Sequence, residues 1–166
     1  MKKYKLGIAL GGGGARGFAH LGVLKGLQEQ GIYPDVIAGV SAGALVGVFI
    51  AAGKGPQETM DLMKANNITD YARVTMPVNG LLNFGNLEQI LNEHIGKERI
   101  EELKLPFYIG VTNLQEGKSE YVSKGSLIPF VQASASIPVL FSPVHVEGTQ
   151  YVDGGLMDNL PVSPLE

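Results

Sequence analysis

The sequence predicts an α/β fold, a three-layer α/β/α arrangement around a mixed, mainly parallel central sheet. Three observations carry that expectation. Two apolar runs, Lys5–Leu10 and Val36–Val40, each enter a glycine-rich corner and then a helix, which makes the first fifty residues a β-α-β-α unit. Pro106–Val111 is a third strong strand, followed by Gln115-Glu116-Gly117 as a turn and Ser119–Val122 as a returning strand, so the sheet is mixed. Helical stretches fill the spaces between these strands, as layers covering both sheet faces require.

Taken in order, Phe18 to Gln30 is the first helix, with Phe18, Leu21, Leu24 and Leu27 on one stripe and Gly31 as its stop. Val36–Val40 reads as a buried parallel strand, and Ala42 to Ala52 as a tightly packed helix closed by Gly53. Pro56 stands at the first position of a third helix containing Thr59, Met60 and Met63. Asn86, with Gln89 three residues on, starts a fourth that ends near Gly96. Thr149–Val152 is the last strand, and it runs directly into Asp153-Gly154-Gly155. The chain, residues 1–166, is expected to be one domain, long enough to bury about 70% of its unfolded surface.

Gly39-Val40-Ser41-Ala42-Gly43 is a GxSxG turn between a strand and a helix, the place for a nucleophile elbow. Gly39 and Gly43 leave room for a sharp corner, and the helix after Ser41 aims unsatisfied amides and its positive end at whatever reacts there. Serine is also a favoured N-cap in any protein, so the turn alone is a moderate signal. A second corner strengthens it. Gly12-Gly13-Gly14-Ala15-Arg16-Gly17 follows the first strand, and this G-x-G-x-x-G pattern fits either a dinucleotide fingerprint or an oxyanion-binding loop. The dinucleotide reading wants an acid at the far end of the second strand, where Ser41 stands instead; Asp35 lies at the wrong end. The oxyanion reading is therefore favoured, since helix N-terminal amides suit a tetrahedral oxyanion as well as a phosphate.

None of the three histidines stands where a base is needed. His20 belongs to the first helix and can pack or cap, His94 to a surface helix, and His145 alternates with valines on a solvated strand face beside Glu147. A serine-acid-histidine order ending at His145 stays formally open. Asp153 is the better partner, emerging at a strand end before two glycines, although aspartate before glycine is also a common turn. A partly shielded carboxylate within hydrogen-bond reach can take the serine proton itself, which would make Ser41 and Asp153 a dyad.

With these motifs in order, the chain resembles the patatin-like phospholipases, lipid acyl hydrolases with a serine-aspartate dyad. Gly12 to Gly17 is similar to the family's glycine-rich oxyanion loop, Gly39 to Gly43 to its nucleophile elbow, and Asp153-Gly154-Gly155 to its Asp-Gly-Gly/Ala motif. Gln132-Ala133-Ser134-Ala135-Ser136-Ile137-Pro138 looks like the Ala-Ser-x-x-x-Pro segment of bacterial members, and Asp153 to Val162 resembles the family's continuation past the base. The resemblance implies a patatin-like fold and a serine esterase acting on phospholipids or related acyl esters, with Ser41 and Asp153 catalytic. It implies an oxyanion held by amides of Gly12, Gly13 and Gly14. Arg16, Gly17, Gly39, Gly43, Gly154 and Gly155 would support the motifs, and Arg16 is left without a catalytic role. Members usually continue well past the Asp-Gly-Gly motif, so a truncated chain is expected, with Leu165-Glu166 as a vector-derived remnant. An uncovered strand edge or apolar face would then favour pairing between two copies.

The net charge of −3, with no lysine or arginine cluster beyond Lys2, Lys3 and Lys5, gives no basic field for nucleic acid. Absence of cysteine excludes disulfides and thiolate metal sites, acidic residues lack ligand spacing, and no metal or cofactor is called for. The N-terminal residues enter a strand rather than a long apolar signal region, and no stretch approaches the ~20 apolar residues of a membrane span, so cytoplasmic residence with peripheral lipid contact is expected. Val74 to Phe84, apolar without a helical period, is a candidate lid or interfacial loop, or equally a loop packed on the core. Two other functions remain: a phosphate- or nucleotide-binding module using the glycine loop, and a truncated, non-catalytic interaction domain.

Overall fold

A computed structural model describes residues 4–66, 68 and 86–166, so the candidate lid at 74–84 lies outside the described residues. Six strands, β1 (Gly7–Leu10), β2 (Val36–Val40), β3 (Phe107–Asn113), β4 (Lys118–Val122), β5 (Val144–Val146) and β6 (Thr149–Asp153), form one sheet. Helices α1 (Phe18–Glu29), α2 (Ala42–Ala51), α3 (Pro56–Ala65), α4 (Leu87–His94) and α5 (Leu127–Ser134) flank it in a three-layer α/β/α fold. The sheet is mixed, as the sequence predicts: β1, β2 and β3 run parallel, while β4 and β6 are antiparallel to β3, and β5 to β6.

Each element reflects its side chains. All five residues of β2 are buried, which is why that run is continuously apolar rather than alternating. Helix α2 is buried nearly all round, and it closes at Gly53 with Gly53 N–H on the Ile50 carbonyl and Lys54 N–H on that of Phe49, the paired bonds of a Schellman motif. Helix α1 buries Leu21 and Leu24, two of the four residues on its predicted stripe. One hydrophobic cluster runs from Leu10 on β1 through Phe49, Phe107, Ile109 and Leu127 to Tyr151 on β6.

Helix α5 is not evident in the sequence, nor is the pairing of β5 with β6, although both of those strands are read there. Helix α5 carries Pro129 in its first turn, where the missing amide N–H costs no helical hydrogen bond. The β5–β6 hairpin turns on Glu147 and Gly148, both at positive φ, the pattern that matches strand twist in two-residue loops.

The register of β3 decides which strand ends meet. Its residues 109–113 pair with β4 along one edge. The other edge is shared end to end: β2 pairs in parallel up to Val40 opposite Gly110, and β6 pairs antiparallel up to Asp153 opposite Val111. Strands β2 and β6 therefore run toward each other and meet at their C-terminal ends. The residue after Val40 is Ser41.

Candidate active site

Ser41 and Asp153 meet where the two strands abut. The Ser41 hydroxyl donates to Asp153 Oδ2 at 2.6 Å, and both residues are buried, 8% and 6% exposed. A separation of 112 positions in sequence is thus closed by strand register alone. The second carboxylate oxygen, Oδ1, accepts the Gly155 amide at 2.7 Å, so the turn after β6 orients the group. The Thr112 hydroxyl donates to the Asp153 carbonyl at 2.9 Å, and the Asp153 amide donates to the Ser136 carbonyl at 2.9 Å.

Burial pushes the Asp153 carboxyl above the ordinary aspartate range, against the opposing pull of the hydrogen bonds from Ser41 and Gly155. Among the described residues no cation forms an ion pair with it. Such a carboxylate is a stronger base than a solvated one.

Ser41 stands at φ 54°, ψ −121°, a conformation that costs a non-glycine residue about 1–3 kcal/mol and persists only when its surroundings impose it. Two devices do so. Its carbonyl accepts the amides of Ala44 and Leu45, and its own amide, turned out of the strand ladder, donates to the Ser134 hydroxyl at 2.9 Å. Ser134, fully buried at the end of α5, donates its O–H to the Gly110 carbonyl at 2.7 Å. Glycine at 43 is required by close approach: a Cβ there would collide with the Leu10 carbonyl, because the start of α2 lies directly on the end of β1. Helix α2 is thereby aimed N-terminus first at the Ser41–Asp153 pair.

The glycine loop lies over the same point. A Cβ on Gly12 would stand 3.1 Å from Cβ of Ser41. Gly14 to Gly17 form a 3₁₀ turn, with Gly17 against Ala42 and Arg16 exposed. Of the three glycines expected from sequence to hold an oxyanion, Gly12 already donates its amide to the Asn159 carbonyl at 3.2 Å. Gly39 packs on the Gly43 carbonyl and Gly154 on that of Gly110, so these motif glycines serve close backbone contacts.

The histidines lie elsewhere. His20 bonds through Nε2 to the Gly11 carbonyl at 2.9 Å, His145 pairs with Gln150 on the exposed hairpin, and His94 ends α4. The Asp35 carboxylate accepts the amides of Lys5 and Leu6, tying the approach to β1 to the approach to β2. Among the described residues no group of three His, Cys, Asp or Glu side chains is placed to hold a metal ion. No described helix is long and apolar enough to cross a membrane. Ser134 and Asn159 are members of this site that sequence reasoning does not single out. Both fall inside motif-like segments, but their contacts arise only on folding.

A sequence model described as patatin-like phospholipase matches residues 8–166. An uncharacterised NTE family protein of Mycobacterium tuberculosis is 35% identical over 164 residues, covering 97% of this chain and 45% of that protein. The lysophospholipase NTE1 of Saccharomyces cerevisiae is 34% identical over 166 residues, 96% of this chain and 10% of its own length. The chain thus spans less than half the length of these relatives. Among solved structures, VipD from Legionella pneumophila superimposes with a TM-score of 0.71 at 19% identity, covering 96% of this chain and 47% of that one, a likeness of fold. With the family model spanning nearly the whole sequence, the chain belongs to the patatin-like phospholipase family.

Proposed function

We propose that this chain performs serine-dependent hydrolysis of lipid carboxylic esters, with lysophospholipids and phospholipids as the substrate class. The observation that carries the reading is the buried 2.6 Å hydrogen bond from Ser41 Oγ to Asp153 Oδ2 at the abutting ends of two strands. In this mechanism Ser41 Oγ attacks the ester carbonyl carbon as its proton passes to Asp153. The carbonyl oxygen becomes an oxyanion, held by the amides of Gly13 and Gly14 and by the N-terminal end of α2. Collapse breaks the carbon–oxygen bond, Asp153 returns the proton to the leaving alkoxide, and the acyl group stays on Ser41. Water, losing its proton to Asp153, then attacks the acyl carbon; the bond from that carbon to Ser41 Oγ breaks, Asp153 returns the proton to Ser41, and the fatty acid is released.

The names of the fungal relatives, lysophospholipases, support a lipid rather than a soluble ester as substrate. Val139, Leu156, Met157 and Leu160 are exposed apolar side chains, 87%, 57%, 54% and 57%, in the segments flanking Asp153, which suits peripheral contact with a lipid surface. The rival role as a phosphate-binding module leaves the Ser41–Asp153 bond without purpose. The test is release of free fatty acid from lysophosphatidylcholine micelles. The wild type is expected to release it, and Ser41→Ala or Asp153→Asn to lower the rate at least ~1000-fold. A rate indifferent to both substitutions contradicts the reading, as does saturable phosphate binding with no hydrolysis.

A further inference from the structure

Gly11 to Gly14 are four consecutive glycines, the least self-organised backbone a chain can have, yet a loop that receives an oxyanion must be fixed to within a fraction of an ångström. Its position must therefore be imposed from outside. Arg16 N–H on the Gly13 carbonyl only closes the 3₁₀ turn within the loop, and two hydrogen bonds fix the loop from outside: His20 to the Gly11 carbonyl, and Gly12 N–H to the Asn159 carbonyl. The second differs from the first because Asn159 belongs to the segment that comes after the base.

Asn159 also engages the loop with its side chain. A methyl group on Gly12 would collide with the Asn159 Oδ1 and lie 3.1 Å from Ser41 Cβ; one on Gly155 would lie 2.7 Å from the same Oδ1 and 3.0 Å from Asp153 Oδ1. The carboxamide thus fills the gap between the glycine loop and the base turn, against Cα of both glycines, and flanks both Ser41 and Asp153. It forms no hydrogen bond to another described residue, so its placement is not a by-product of pairing elsewhere. The segment beneath it is anchored: Asp158 accepts the Leu160 amide at 3.0 Å and the hydroxyl of Tyr121 on β4.

We propose that Asn159 is a positioning residue of the site, a strut whose backbone carbonyl and carboxamide together fix the glycine loop against the Ser41–Asp153 dyad. The proposal rests on the hydrolase reading and names what sets the loop-to-base distance on which transition-state stabilisation depends. Asn159 is exposed, so removal of its side chain is expected to spare the fold.

The experiment compares wild type, Asn159→Ala and Asn159→Asp in steady-state hydrolysis of a soluble p-nitrophenyl ester across pH, alongside thermal melts. Asn159→Ala is expected to lower kcat about 10- to 100-fold with KM within about twofold and the melting temperature unchanged, because a loop displaced by the width of a carboxamide loses transition-state contacts only. Asn159→Asp keeps the strut's shape and sets a second carboxylate beside Asp153. It is expected to recover most of the plateau kcat while moving the acid limb of the pH profile upward. Unchanged kcat in Asn159→Ala, or a loss that merely tracks a lowered melting temperature, overturns the proposal. So does an Asp variant as impaired as Ala with an unmoved acid limb. A wild type inert toward both the ester and lysophosphatidylcholine micelles overturns the hydrolase reading itself, and is told apart because no variant is then needed to see it.

Discussion

At the residue scale two unfavourable placements are held in one spot. Ser41 occupies a strained backbone conformation, so replacement by glycine removes the strain while replacement by alanine keeps it. Both variants lose the bond to Asp153, and Ser41→Gly is expected to be more stable than Ser41→Ala by about 1 kcal/mol in chemical denaturation. Asp153 carries the second. Because burial raises its pKa in the folded state, the folded protein holds that proton more tightly than the unfolded chain does. Stability linked to this group is therefore full below the unfolded aspartate value and lost as pH rises through the raised one. Asp153→Asn is expected to stabilise the fold at neutral pH, with the advantage vanishing as the pH falls through the wild-type pKa, and to abolish hydrolysis throughout. Urea titrations at several pH values measure the first, and a constant stability difference across pH contradicts it. For the active enzyme, kcat/KM is expected to show an acid limb above the ordinary aspartate range.

Ser41 and Asp153 are legible in the sequence because each stands in a short local motif whose glycines answer to backbone crowding. Ser134 and Asn159 are not. Ser134 is the serine of the Ala-Ser-x-x-x-Pro segment, but it reaches Ser41 across 93 positions, and nothing in that segment says its hydroxyl will take the Ser41 amide.

At the element scale, β2, α2 and the 3₁₀ turn of the glycine loop behave as one unit. Gly43→Ala would press a methyl group into the Leu10 carbonyl, side chain against backbone with nothing flexible to yield, and is expected to cost about 3 kcal/mol or prevent folding. Ser134→Ala leaves the Ser41 N–H and Gly110 carbonyl buried without their partner, a loss of about 2 kcal/mol together with a fall in kcat, since the elbow loses the bond that turns it. Urea denaturation beside ester kinetics measures both. Helix α3 offers the opposite sign: the Thr59 hydroxyl is fully buried without a hydrogen-bond partner among the described residues, so Thr59→Val is expected to stabilise by about 1 kcal/mol and leave activity unchanged. The long apolar elements are readable from period and composition. Helix α5 is hidden by Pro129, and the β5–β6 hairpin by a Glu-Gly turn that lacks the usual Asn or Asp.

At the scale of the whole molecule, β3 is the spine. Two strands of opposite direction share one of its edges, and their meeting point brings together a serine and an aspartate that the sequence separates by 112 positions. A mixed sheet is expected from the sequence, but which strands share an edge is not, because register depends on pairings the sequence does not display. Placing Ser41 and Asp153 at strand ends on a buried spine gives the proposed reacting groups rigid support.

Activation of Ser41 by Asp153 is what the proposed chemistry stands on, and it is read most simply from the intact mass of the folded protein after exposure to a fluorophosphonate probe. A single adduct is expected on the wild type, mapped to Ser41, absent in Ser41→Ala and lost or slowed at least ~1000-fold in Asp153→Asn. A folded wild-type protein that stays unlabelled, or labelling that persists undiminished in Asp153→Asn, would show that Asp153 does not activate Ser41.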